Sequence, residues 1–176
     1  MTDQMLEQRV DRLWGVHEIR QLAYDYAYAL DARDVQLLRS LWAETPVPTE
    51  LPAMDGHYVR GPEFDRWLQM GASILFVGNH RIDFEDDDHA GGTVYCFVQL
   101  EADGTFIDQS ILYQDRYLRQ GGHWLFESRT HLLWFGEKRE RNPFQQAPAN
   151  WPEKTFGRGT LPEAFATYRQ YHGLER

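Results

Sequence analysis

At Ser73 the residue pattern changes from helical to extended, and no other feature constrains the fold as strongly. The runs ILFVGNHRIDF, GGTVYCFVQL, TFIDQSILYQDRYLRQ and HWLFESRTHLLWFGE are rich in β-branched and aromatic residues and read as four strands. Their connections, EDDDHA, EADG and QGG, are short and polar, with the Asp or Gly that hairpin turns use. The simplest topology is therefore a consecutive antiparallel meander. Because the strands follow a helical first half, the pattern predicts an α+β fold with the helices covering one face of a curved sheet.

In the helical half, Ile19 to Asp34 (IRQLAYDYAYALDARD) reads as one amphipathic helix. Ile19, Leu22, Ala23, Tyr26 and Leu30 fall on one side at the 3.6-residue period. Asp31 lies at the edge of that stripe, beyond the small side chains of Ala23 and Ala27. Such a carboxylate is either a solvated last-turn residue or a group facing a cavity beneath the helix, and spacing alone does not choose. Residues 4–14 predict a short leading helix whose apolar edge, Met5, Leu6, Val10, Leu13 and Trp14, packs on a neighbour. Asp34 caps a further helix over Val35 to Ala43. The prolines within Pro46 to Pro52 make a loop, GHYVRG is a short extended piece, and Pro62 opens a third helix carrying Phe64, Trp67 and Leu68. Beyond Glu137 the chain turns polar and proline-bearing, yet it keeps Phe144, Trp151 and Phe156. We read residues 1–137 as one domain and 138–176 as an arm over that domain or another subunit, ending in a helix from Pro162 to about Tyr171.

Charge and composition exclude several classes. A net charge of −9 and a pI near 5.2 disfavour nucleic acid and anionic membranes, which are bound through basic patches. Cys96 is the only cysteine, so an intramolecular disulfide and a cysteine-rich zinc site are excluded; its VYCFV setting is that of a buried, inert thiol. There is no signal-peptide pattern and no apolar run near the ~18 residues that span a bilayer, so the cytoplasm is the expected compartment. The acidic run Glu85 to His89 reads as a hairpin turn, because the glycine spacing of an oxygen-ligand loop is missing. No metal is expected. HExxH, G-x-S-x-G, P-loop and G-x-G-x-x-G motifs are absent, and no cofactor is implied. Numerous aromatics favour an aromatic or polycyclic small-molecule partner.

The order of elements, together with IRQLAYDYAYALDARD, RGPEFDRWL, LFVGNHRIDF and LYQDRYLRQGGHWLFESR, resembles the nuclear transport factor 2-like superfamily. The resemblance is to its SnoaL-like branch, which includes scytalone dehydratase, bile acid 7α-dehydratase and hexachlorocyclohexane dehydrochlorinase. It implies a cone-shaped α+β barrel, helices packed in a strongly curved antiparallel sheet around an apolar pocket, and a homo-oligomer, dimer or trimer. It implies further that Asp31 is a pocket aspartate and that Tyr26 occupies a catalytic tyrosine position. Arg129 matches a pocket arginine, and Tyr113 a substrate-side position. The family's histidine partner of the aspartate falls at Leu75 here, and one family arginine at Leu132, so the Asp–His pair does not transfer.

The missing histidine directs attention to His57, His80 and His131, all on extended segments. His131 shares strand parity with Arg129 and Leu133, so the two polar groups face the same way. Asn79 shares the parity of Leu75, while His80 faces the opposite side unless a bulge intervenes. These residues predict a cofactor-independent lyase: Asp31, Tyr26, His57 and His131 are the catalytic candidates, and Asn79, His80, Tyr113 and Arg129 the substrate-binding ones. The reaction expected is dehydratase-like elimination, or loss of another small fragment, on a bulky aromatic or polycyclic molecule. Alternatives are a ketosteroid-type isomerase and a non-catalytic subunit such as the β-subunit of an aromatic-ring dioxygenase.

Overall fold

The computed structural model of the chain describes residues 2–44, 69–149 and 156–174, together with the backbone of 57–58. Its elements are α1 (Asp3–Ala32), α2 (Val35–Ser40), β1 (His57–Tyr58), β2 (Ser73–Phe84), β3 (His89–Ala102), β4 (Thr105–Gln120), β5 (His123–Arg139), a 3-10 turn (Pro143–Gln145) and α3 (Ala166–His172). Strands β2 to β5 form the expected antiparallel meander, and β1 pairs with the outer edge of β5, giving the order β1-β5-β4-β3-β2. In the β4–β5 turn both Gly121 and Gly122 have positive φ (62° and 85°). That left-handed pair matches a two-residue hairpin to the twist of its strands.

The two helices expected over residues 4–34 are one. No proline or capping residue separates Trp14 from Ile19, so α1 runs unbroken for 30 residues, roughly 45 Å. The Thr2 side chain caps it by accepting from Met5 N–H (3.4 Å). Its second half buries Ile19, Leu22, Ala23, Tyr26 and Leu30 as the spacing requires. In the first half Met5, Leu6, Val10, Leu13 and Trp14 are exposed, so this edge is not buried against the described residues. Helix α1 ends at Arg33, whose φ of 55° is unusual for a side chain of this size. Its guanidinium accounts for the choice. Buried, it donates to the Leu30 and Gly71 carbonyls, to the Met70 carbonyl (3.2 Å) and to Ser73 Oγ (3.0 Å), tying the end of α1 to the start of β2.

Helix α2 stops at Ser40 rather than reaching Ala43 because the backbone there is drawn into pairing with β5. Ala43 N–H donates to Phe126 O (2.9 Å) and Phe126 N–H to Leu41 O (2.8 Å). The proline loop and the helix expected at Pro62 lie outside the described residues. The described part of the arm packs on its own chain: Asn142 donates to Glu101 (2.7 Å), Phe144 meets Phe106, Phe165 meets Tyr28, and Thr167 donates to the Ala32 carbonyl (2.7 Å). The final helix begins at Ala166, not Pro162, because the turn closed by Phe165 N–H to Pro162 O (3.0 Å) is followed by an extended Phe165.

Bulges shape the sheet. Gly78 and Asn79 together face Tyr95, and further register shifts occur on β5 at Glu127 and at Trp134. Each adds a residue to one strand, bending it and reversing which face the following side chains occupy. This places Trp124 and Phe126 on the same inner face as Arg129 and His131. At the centre of that face Arg129 forms a two-pronged ion pair with Asp115, its direct cross-strand partner: Nε to Oδ1 and Nη2 to Oδ2, both 2.7 Å. The guanidinium carbon lies 4.4, 4.2 and 4.3 Å from the ring centres of Tyr26, Tyr113 and Phe126. Tyr117 donates to the same Oδ2 that accepts from Nη2 (Oη to Oδ2, 2.7 Å). Two charges removed from water are thus held by matched geometry, an added hydrogen bond and three π faces.

Removing only one partner leaves a buried charge with nothing to balance it. Arg129→Met is expected to destabilise the fold by about 3–5 kcal/mol, whereas Arg129→Met with Asp115→Asn recovers most of that loss. Urea unfolding of the three proteins measures both values; a double variant as unstable as the single one would contradict the assignment.

Candidate active site

Asp31 occupies the last turn of α1, where its carboxylate reaches β2. Oδ2 accepts from Leu75 N–H (3.1 Å) and Oδ1 from Ser73 Oγ (3.2 Å). Ser73 in turn accepts from Arg33, so a guanidinium lies one hydroxyl away from the carboxylate. Burial dominates over these donors and pushes the Asp31 carboxyl up to about 7. The Leu75 position that lacks the family's histidine side chain thus supplies a backbone donor instead.

Asp31 and Ser73 line a cavity of about 600 Å³, within the range of small-molecule sites, bounded on its other side by the C-terminal arm. Phe106, Phe144, Leu161 and Phe165 make its walls predominantly apolar. A second, inner chamber of about 20 Å³ is lined by Tyr26, Tyr113 and His131 with Leu30, Leu75 and Val98. It has room for roughly one water. Ser73 lines both spaces.

The other expected residues are placed as follows. Tyr26 is buried and its hydroxyl pushed up to about 12 by burial, only partly offset by Arg129. Burial likewise raises Tyr113, whose ring centre is 5.7 Å from that of His131. Both tyrosines therefore stay protonated and able to donate at neutral pH. Arg129 is engaged with Asp115 and lines neither cavity. Asn79 is exposed on the bulge of β2, and that bulge turns His80 inward. His80 Nε2 meets Tyr117 Oη at 3.0 Å. Since that hydroxyl gives its proton to Asp115, the imidazole is the donor. Burial lowers His80 to about 4, so it is neutral near pH 7. The backbone of His57 pairs directly with His131, and its side chain lies outside the described residues. Cys96 is buried and its thiol pushed up to about 12, an unreactive state.

Sequence reasoning missed Asp115, Tyr117 and Ser73. Alternation through Tyr113, Asp115 and Tyr117 on β4 was an available signal, since it puts a carboxylate on the face that Arg129 shares. Ser73 had none, because its role comes from contacts across the fold. Among the described residues no cluster of three or more His, Cys, Asp or Glu side chains is arranged to hold a metal, and no helix is long and apolar enough to cross a membrane.

Comparison with solved structures recovers the same architecture. A type 2 hexachlorocyclohexane dehydrochlorinase LinA superposes with a TM-score of 0.65 at 20% identity, covering 76% of this chain and 95% of that one. LinA-type3 from Novosphingobium barchaimii LL02 gives 0.64 at 22% identity, covering 76% and 96%. An NTF2-like protein with a cystatin-like fold from Novosphingobium aromaticivorans gives 0.56 at 21% identity, covering 76% and 90%. No curated protein sequence matches. The model of the SnoaL-like domain matches residues 11–130, from the exposed half of α1 to β5, a span that holds Asp31, Asp115 and Arg129. The chain belongs to the SnoaL-like domain family.

Proposed function

We propose that this protein is a cofactor-independent lyase that removes a proton and a small leaving group from a bulky aromatic or polycyclic substrate, with Asp31 as the base. One observation carries the reading. A carboxyl group with its pKa raised to about 7 is fixed by the Leu75 N–H and the Ser73 hydroxyl against an apolar cavity of substrate size. At that pKa the carboxylate is both available near neutral pH and basic enough to accept a proton from carbon. Among the described residues its hydrogen-bond partners are the Leu75 N–H and the Ser73 hydroxyl, and in this reading Asp31 itself accepts the proton. Tyr26, Tyr113 and His131 line the inner chamber, whose volume fits the water released by a dehydration. In this reading Arg129 is a positioning residue: through Asp115 and its ring contacts it fixes the two tyrosines. A hexachlorocyclohexane dehydrochlorinase of the same fold supports elimination as the reaction class. The outer sheet face exposes Phe76, Phe97, Trp134 and Phe135, which fits a homo-oligomer, dimer or trimer.

The test is turnover by the purified protein on a panel of aromatic and alicyclic β-hydroxy and β-chloro carbonyl compounds, with product analysis. The expected kcat/KM rises with pH through one ionisation near 7, and Asp31→Asn lowers it by roughly 10²–10⁴-fold. Formation of an isomer without loss of a fragment would replace the lyase by a ketosteroid-type isomerase. Copurification with a large iron-containing partner and no activity alone would contradict both.

Asp31 also links stability to pH. Its folded pKa lies above the ordinary carboxylate value, so its contribution is fully present below about pH 4 and is lost as pH rises through about 7. The difference in Tm between Asp31→Asn and the wild type is therefore expected to grow in favour of the variant from pH 4.5 to 7.5 and to level off above. A difference independent of pH would show that the carboxyl is not perturbed.

A further inference from the structure

The first two-thirds of α1 carry apolar residues on two opposite faces, and only one of the two is buried against the described residues. That face holds Gly15, Ile19 and Leu22, which lie on the sheet. Contacts around it clamp the helix to its own domain. Asp11 takes both prongs of Arg119 (3.0 and 2.9 Å), the Arg12 guanidinium carbon lies 4.3 Å from the centre of the Phe84 ring, and a Cβ on Gly15 would lie 3.0 Å from Trp124 Nε1. At about 100° per residue, Leu6, Val10 and Leu13 point roughly 180° away from the buried face. They are 49%, 57% and 69% exposed, and Trp14 beside them 56%. A rigid helix thus holds an apolar stripe out to solvent.

The stripe has the spacing of a coiled-coil seam. Asp3, Leu6, Val10, Leu13, His17 and Arg20 succeed one another in alternating steps of three and four residues, and all six are exposed. We propose that this seam pairs antiparallel with the same seam of a second copy of the chain. The order of the six residues is what selects a second copy. With the two-fold axis between Asp11 and Arg12, the layers are Asp3 on Arg20, Leu6 on His17 and Val10 on Leu13, each occurring twice. Opposite charges close both ends of the seam, and apolar side chains meet at its centre. A parallel pairing sets Asp3 on Asp3 and Arg20 on Arg20 and aligns the two helix dipoles, so charge fixes the orientation. Because the seam and the sheet lie on opposite sides of α1, the two domains stand on either side of the helix pair without meeting. The exposed apolar part amounts to roughly 500 Å² per copy, and the polar ends bring the pair to the ~1,200 Å² at which specific interfaces begin. The seam starts ahead of residue 11, where the match to the SnoaL-like domain begins, so half of it lies outside the shared domain. It is separate from Asp31 and from the aromatic outer face of the sheet, which looks the other way. An assembly that uses both surfaces therefore has an even number of copies.

Sedimentation equilibrium of the full-length protein from about 1 to 100 µM tests the pairing. The wild type is expected to form an even-numbered assembly, and Val10→Glu to weaken the two-copy step at least about 100-fold by burying an unpaired charge. Far-UV circular dichroism stays unchanged, because Val10 is exposed in the isolated chain. Phe97→Glu, on the outer sheet face, leaves the same step intact. Asp3→Arg and Arg20→Asp each put like charges at both ends of the seam and weaken it roughly tenfold. An equimolar mixture of these two variants restores the pairing, since one then presents two basic ends to the two acidic ends of the other. Fraying of the helix start by Asp3→Arg would not be repaired by mixing. A monomeric or odd-numbered wild type would overturn the proposal, as would a mass indifferent to Val10→Glu. Pairing lost in Val10→Glu yet indifferent to both charge variants would overturn the antiparallel seam. A different protein held by a monomeric wild type and released by Val10→Glu would assign the face to that partner and overturn self-association.

Discussion

The Arg129–Asp115 pair is the interaction on which the rest of the structure depends. A charged guanidinium at the centre of a sheet's inner face is tolerable only if its partner, its remaining donors and its flat faces are all matched. The fold does this with groups from three elements: Asp115, Tyr113 and Tyr117 from β4, Phe126 beside Arg129 on β5, and Tyr26 from α1. Because α1 supplies one of the ring faces, the pair also sets where α1 lies on the sheet. Everything further along that helix, including Asp31, inherits its position.

Two inward carboxylates in one domain therefore have opposite surroundings. Asp115 meets a full positive charge at 2.7 Å on both oxygens and serves the core. Asp31 meets only an amide and a hydroxyl, neutral donors that do not offset its loss of water, and it borders open space. One carboxylate thus braces the core while the other faces a cavity. The same contrast extends to the arginines. Arg129 is committed to Asp115 in the core, whereas Arg33 ties the end of α1 to the start of β2.

Much of this was legible in the sequence. Helical spacing placed Ile19 to Leu30 against the core, and hairpin chemistry gave the order of the four long strands. The position of Asp31 at the edge of the stripe left two readings, and contacts from β2, remote in sequence, decided between them. Bulges were not legible. A single inserted residue at Gly78–Asn79 reverses the faces of Asn79 and His80, and the shift at Glu127 lets Phe126 and Arg129 share a face that strict alternation denies them. The arm was visible only as a stretch too aromatic to be free, because its pairing with itself and with α1 depends on contacts without local periodicity.

The account's central claim is that Asp31 is a desolvated, titrating carboxyl facing a cavity. Its most direct test is a 13C NMR pH titration of the Asp31 carboxyl carbon, assigned by comparison with Asp31→Asn. A midpoint near 7 is the predicted result. A midpoint near 3.9, the value of a solvated aspartate, would contradict it and remove the base from the proposed site.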